Sequence, residues 1–282
     1  IANIWNKTTI ENIQVTLAEQ LGVEERGGYY DTAGALRDMV QNHIFQIIVA
    51  LAMPQPENLS DSSIHAAKKQ LLDSLIMPTK TDLAHDFVRG QYDANGELPA
   101  YRQEPQVAPD SNTETYVAGK VKFSDGPLAG VPIYFRTGKR LRMKSSRIDI
   151  VLKNKNELYQ EAKPDVLTIE LDPINELKLR VNGKRVTTVG LRQENLIYQY
   201  TEADTRLVAD AYELLIEDVL KADRSKFTNW HELRASWKFI DQIEDYFQAQ
   251  NGQDLQDYHP FTMGPKASQN IFENPTDRWI LN

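Results

Sequence analysis

Apolar and polar positions alternate through Ile13-Gln14-Val15-Thr16-Leu17, as in a strand with one buried face, and Glu19 follows at its exit. After the charged, turn-rich connection Gly22–Gly28 the period changes. Leu36, Met39, Val40, His43, Ile47 and Leu51 recur at helical spacing, which predicts a helix beginning near Ala33 with Asp31 or Thr32 as its cap. Pro54 and Pro56 remove both an amide and the room for another turn, so this helix must end around Met53. A second helix is predicted between Ser62 and Leu75, and a short strand over Phe87–Tyr92.

Asn95–Asp110 lacks periodicity and contains Pro99, Pro105 and Pro109, so it reads as a surface connection. Beyond it Thr113–Phe123, Val131–Arg136, Arg147–Lys153, Val166–Leu171 and Glu176–Val181 are all strand candidates. Asn182-Gly183 predicts a tight hairpin turn into a further strand over Lys184–Val189. No helical crossovers separate these strands, so the expected fold class is α+β, with a large, mainly antiparallel sheet and flanking helices. Helical spacing returns over Ala203–Leu220 and Glu232–Phe247, and the chain after Gly252 reads as irregular.

Composition narrows the function classes. With 282 residues, 41% hydrophobic and 26% charged, the chain can bury one large core or two modest ones. The absence of cysteine excludes disulfides, cysteine nucleophiles and thiolate metal sites, and no zinc-site spacing is present. A net charge of −8 argues against a nucleic acid partner while leaving room for a local basic pocket. No apolar run approaches the roughly 20 residues of a membrane span, so no membrane partner is expected. Ile1 is not an initiator methionine and Ile1–Asn6 lacks signal-peptide features, so either a segment was cleaved or the chain is part of a larger protein.

Candidate chemistry gathers at a few positions. His43 lies on the predicted apolar stripe, five residues after Asp38, which in an α-helix is a rotation of about 140°. The two could flank one cleft, with neutral imidazole accepting a proton if a carboxylate orients its other nitrogen; a hydrogen-bonded core histidine is the plainer reading. Glu19 and Asp38 could accept hydrogen bonds from sugar hydroxyls, or could simply be surface carboxylates. Lys139 and Lys144 stand in the basic run Arg136–Lys144, suited to a phosphorylated metabolite and equally to a solvated surface or a subunit contact. Neither a Walker loop nor a GxGxxG arrangement occurs, and Gly27-Gly28 alone does not make a dinucleotide cradle.

The run Val23-Glu24-Glu25-Arg26-Gly27-Gly28-Tyr29-Tyr30-Asp31-Thr32-Ala33-Gly34-Ala35-Leu36-Arg37-Asp38-Met39-Val40-Gln41-Asn42-His43 closely resembles the glucose-6-phosphate dehydrogenase family. The resemblance recurs at Gly130–Leu141, Arg147–Val151, Tyr212–Leu215 and Met263–Lys266, in the same order, and covers most of the chain. It implies the C-terminal substrate-binding and dimerisation domain of a bacterial enzyme, residues 1–282, in a cytoplasmic homodimer. By that resemblance His43 is the general base that takes the proton of the glucose 1-hydroxyl as hydride leaves for NADP or NAD. Glu19, Asp38, Lys139 and Lys144 match positions that bind glucose 6-phosphate. The family's N-terminal nucleotide-binding domain, and its Arg-Ile-Asp-His-Tyr-Leu-Gly-Lys-Glu-like segment that orients the base, have no counterpart in this sequence. The chain alone is therefore expected to be inactive and to bind no nicotinamide cofactor tightly. The alternatives are a non-catalytic oligomerisation module and an unrelated sugar-phosphate-binding protein.

Overall fold

One mixed sheet organises the chain, in a computed structural model that describes residues 2–154, 158–159, 161–201 and 211–282. Its first strand, β1 (Ile10–Ala18), is followed by α1 (Gly27–Ala35), a π-helical segment (Leu36–Ile44) and α2 (Phe45–Ala52). Helices α3 (Asp61–Asp73) and α4 (Lys80–His85) lead to β2 (Val88–Tyr92). Strands β3 (Tyr116–Val121), β4 (Ile133–Gly138), β5 (Ser145–Leu152), β6 (Val166–Asp172), β7 (Glu176–Lys184) and β8 (Leu191–Gln199) then come in succession. Helices α5 (Ala211–Leu220) and α6 (Trp230–Ala249) and the short β9 (Leu255–Tyr258) complete the set. The order across the sheet is β8-β7-β6-β5-β1-β4-β3-β2-β9, antiparallel except at the β1–β4 and β2–β9 pairs. The expected α+β architecture is what the chain adopts.

Alternation divides the buried residues into two layers. Ile13, Val15 and Leu17 of β1, with Val117 and Phe135, face a helical layer containing Val40, Ile48, Phe239 and Ile243. The opposite face carries Tyr92, Tyr116, Tyr134, Tyr258 and Trp279. The polar side of β1 is therefore not half exposed as its pattern suggested. The segment around residues 277–281 crosses it: Gln14 Nε2 donates to Arg278 O at 3.0 Å, and Ile280 N–H donates back to Gln14 Oε1 at 2.8 Å. Arg136 spans the same layer, donating to Thr16 Oγ1 at 3.1 Å and stacking over Trp279 at 4.3 Å.

Three local expectations are corrected. The first helix begins at Gly27, not near Ala33, and Asp31 caps nothing there; its carboxylate accepts from Tyr101 and Ser111 hydroxyls at 2.9 and 2.5 Å. Asn182-Gly183 is no hairpin turn. Both lie inside β7, Asn182 Nδ2 donating to Lys163 O and Asp165 Oδ1 and Gly183 pairing with Arg192, while the reversal spans 185–190. The stretch after Gly252 contributes β9 beside β2. Of the helix predicted over Ala203–Leu220, Ala203–Asp210 lie outside the described residues. Among the described residues no helix is long and apolar enough to cross a membrane.

Candidate active site

Register brings three of the candidate residues to one edge of the sheet. Ala18, the last residue of β1, pairs with Gly138 at the end of β4 and with Ser145 at the start of β5. Glu19, Lys139 and Lys144 are the immediate neighbours of those three positions. Backbone bonds then weave the edge together: Glu19 N–H donates to Gly138 O at 3.0 Å, Leu141 N–H to Glu19 O at 2.8 Å, and Lys139 N–H to Thr115 O at 2.9 Å. Arg140 adopts φ 54°, a left-handed turn that lets consecutive side chains diverge. Arg140 pairs with Glu24 and Glu104 at 3.2 and 3.4 Å, and Lys139 is turned inward, only 8% exposed.

Inside, Lys139 Nζ lies 2.5 Å from Glu19 Oε2 and 4.9 Å from the centre of the Tyr30 ring. The Tyr258 hydroxyl donates to Lys139 O at 2.7 Å and fixes the turn from below. Tyr30 is buried, and burial, with Glu114, Tyr258, Asp38 and Glu19 adding negative field, holds its hydroxyl far above the ordinary phenol range. The field of both Glu19 and Asp38 thus reaches this one phenol, while direct contact joins Glu19, Lys139 and Tyr30 on one side and Tyr29 and Asp38 on the other. Asp38 Oδ1 accepts from the Tyr29 hydroxyl at 3.2 Å and stands 4.0 Å from Arg26.

The segment carrying Asp38 and His43 is π-helical over Leu36–Ile44, and Phe45 N–H donates to Val40 O, five residues back. In that register residues five apart diverge by less than they do in an α-helix. Asp38 and His43 therefore share a face more closely than their spacing suggested. His43 is also exposed, off the buried stripe of Leu36, Val40 and Ile44, which corrects its expected place in the core. No hydrogen bond or ion pair to another described side chain holds its ring. Lys144 is at the same edge but not in the cluster. Its exposed side chain pairs with Asp172 at 2.8 Å, leaving it at the rim.

The structure adds residues that spacing alone passed over. Tyr29 and Tyr30 lie before the helix expected near Ala33 and were assigned no role, yet they contact Asp38 and Lys139. Among the described residues no cluster of three or more metal-ligating side chains is present. A dinucleotide finds no cradle at either glycine position that opens a helical segment. A Cβ on Gly27 would stand 2.1 Å from Pro105 O, so that helix start is covered, and at Gly34 it would meet Glu114 Oε1 at 2.5 Å, a carboxylate that would repel a pyrophosphate. The arrangement is suited to a polyol bearing an anionic group: buried cation and rim cation for charge, two carboxylates for hydroxyls, and an accessible imidazole.

Known proteins resemble the chain over nearly its whole length. The family profile described as "Glucose-6-phosphate dehydrogenase, C-terminal domain" matches residues 1–280. Glucose-6-phosphate 1-dehydrogenase of Streptococcus pneumoniae is 42% identical over 284 residues, covering 98% of this chain and 57% of that protein. The Leuconostoc mesenteroides enzyme is 39% identical, covering 98% of this chain and 58% of its own length. A solved structure of glucose-6-phosphate dehydrogenase in complex with its substrate glucose-6-phosphate superposes with a TM-score of 0.86 at 27% identity, over 99% of this chain and 58% of that one. The chain thus spans somewhat more than half the length of the relatives it matches.

Proposed function

The chain belongs to the glucose-6-phosphate dehydrogenase C-terminal domain family, and on that premise we propose that residues 1–282 form the substrate-binding and dimerisation domain of such an enzyme. The whole protein oxidises glucose 6-phosphate to 6-phospho-glucono-1,5-lactone, with NADP or NAD as hydride acceptor. His43 is the general base for the 1-hydroxyl proton, while Glu19 and Asp38 accept hydrogen bonds from the sugar. Lys139 and Lys144 supply positive charge for sugar and phosphate oxygens.

The observation that supports this reading is the contact of Glu19, Lys139 and Tyr30 at the end of β1, with Asp38 on the neighbouring Tyr29 and His43 exposed on the same segment as Asp38. Lys139 is the natural phosphate or hydroxyl donor because it is buried and held; a ligand has only to draw its ammonium from Glu19. On the same reading the nucleotide is received by a region outside these residues. The outer strands support the dimer: Leu171, Ile174, Leu177, Leu196, Ile197 and Tyr198 are large, apolar and exposed.

The direct test is reconstitution. The 282-residue chain with saturating glucose 6-phosphate and NADP or NAD is expected to produce no reduced cofactor, and activity is expected once the nucleotide-binding region of a relative is covalently restored. Robust turnover by the chain alone, abolished in His43→Asn, would overturn the division of labour. Restored protein that still fails to oxidise glucose 6-phosphate would overturn the activity itself.

A further inference from the structure

The helical wall that carries Asp38 and His43 starts at a break. Gly34 stands at φ 65°, ψ 176°, outside the helical region, so the hydrogen-bond ladder is interrupted and the next amides need other acceptors. Two of them find the same residue. Ala35 N–H donates to the Glu114 carbonyl at 3.1 Å, and Leu36 N–H donates to Glu114 Oε1 at 3.0 Å. Glu114 lies just before β3, so this cap is supplied across the fold rather than by the helix's own flank. Gly34 is required twice, once for its left-handed φ and once because a Cβ would stand 2.5 Å from that carboxylate oxygen.

The neighbouring residue holds the other wall. Thr115 O accepts the Lys139 N–H at 2.9 Å. Adjacent positions on one strand entrance therefore tie down both sides of the site: Glu114 the segment with Asp38 and His43, Thr115 the turn with Lys139. The first of these is also held by the buried Leu36, Val40 and Ile44 and by the Arg37–Glu244 pair. A cavity of about 300 Å³, lined by Thr32, Leu36, Arg37, Arg89, Glu114 and Glu244, opens beside the start of the π segment, so on that side the bonds to Glu114 stand in for packing.

The charges around Glu114 leave its carboxylate to the amide. Arg89, from β2, is committed to Asp254 through bonds of 3.0 and 2.6 Å, and Arg37 pairs with Glu244 of α6. The field of Glu114 also reaches Tyr30 of α1, whose hydroxyl it helps to raise. Among the described residues Glu114 itself makes no salt bridge. Burial pushes its carboxyl up to about 7, opposed by the hydrogen bond from Leu36.

Resting on the roles given above to His43 and Asp38, we propose that Glu114 is a positioning residue whose carboxylate fixes the start of the π segment and so the placement of both side chains against Glu19 and Lys139. The test is made in the complete enzyme with glucose 6-phosphate and NADP, reading kcat, KM and amide exchange at Leu36. Glu114→Ala is expected to lower kcat about 10- to 100-fold and to speed Leu36 exchange about 10-fold or more. Glu114→Gln keeps an oxygen within reach of Leu36 and is expected to recover most of kcat and the protection. Glu114→Asp keeps the charge on a shorter arm and recovers less of either, and this order decides the matter if the alanine variant does not fold. Parental kcat in Glu114→Ala, unaltered Leu36 exchange, or an aspartate variant better than the glutamine variant overturns the proposal. His43→Asn in parallel separates the two readings: undiminished turnover there overturns the role of His43, and the Leu36 contrast then decides whether Glu114 sets the segment.

Discussion

The inner and outer halves of the sheet use similar strands to different ends. In β1 even the polar residues are sealed, Gln14 and Thr16 being 1% exposed, because α2 and α6 lie on one face and residues 277–281 on the other. In β8 both faces are open over Leu196, Ile197 and Tyr198, at 61%, 55% and 59%. Strand alternation thus sets only which residues share a face; what covers the face sets burial. The sealed half holds the site residues at fixed register, whereas the open half exposes a surface of apolar side chains, the one proposed above for a second copy.

The sharpest way to break this contrast is to truncate one residue in each half. Phe239 is buried against Phe45 and Phe87, with ring centres 5.4 and 6.1 Å apart, and Phe239→Ala is expected to lower unfolding free energy by about 3–5 kcal/mol in denaturant titrations. Leu196→Asp is expected to leave monomer stability within about 0.5 kcal/mol and to weaken self-association by sedimentation. Equal destabilisation by both, or an unchanged association constant in the second, would contradict the division.

A second effect belongs to the sealed half alone. Burial raises the Glu114 carboxyl from 4.5 to about 7, so in that window the folded state binds a proton that the unfolded chain has released. Its contribution to stability is full below about 4.5 and is lost as pH rises through 7. Over that interval the parent should lose about 3 kcal/mol relative to Glu114→Gln, which has no such titration. Parallel stability curves for the two proteins would show that this carboxyl is not raised.

Much of this was legible in advance, for physical reasons that differ by region. Strands β5 and β6 read correctly because alternating patterns carry a period of two whatever covers them. The Pro54 stop also held, since it depends only on local sterics. The π register was illegible, because over Leu36–Ile44 a few apolar positions do not distinguish hydrogen bonds four residues back from five. That same shift took His43 off the core stripe on which it had been placed. Asn182-Gly183 misled because local turn preference was overridden by bonds from Asn182 to residues far along the chain, at Lys163 and Asp165. Lys139 and Lys144 looked equivalent in one basic run. Only the left-handed backbone at Arg140, and the ring of Tyr30, make the first a held interior cation and the second a rim cation.

That difference between the lysines sharpens the comparison at smaller scale. In the complete enzyme Lys139→Ala removes a buried donor and leaves Glu19 unpaired, so KM for glucose 6-phosphate is expected to rise about 30-fold or more. Lys144→Ala removes an exposed cation already paired with Asp172, and a rise of about 5-fold or less is expected, shrinking further with added salt. Steady-state kinetics at two ionic strengths distinguish them, and a reversed order would place the phosphate at the rim.

We propose a division of labour in which this chain supplies the base and another region holds the nucleotide. It is tested most directly by single-turnover hydride transfer in the complete enzyme, with glucose 6-phosphate affinity measured on the same preparation. His43→Asn is expected to slow the transfer step about 10²–10⁴-fold while the dissociation constant for glucose 6-phosphate stays within about 3-fold of the parent. A near-parental transfer rate in that variant, or a loss confined to affinity, would contradict it.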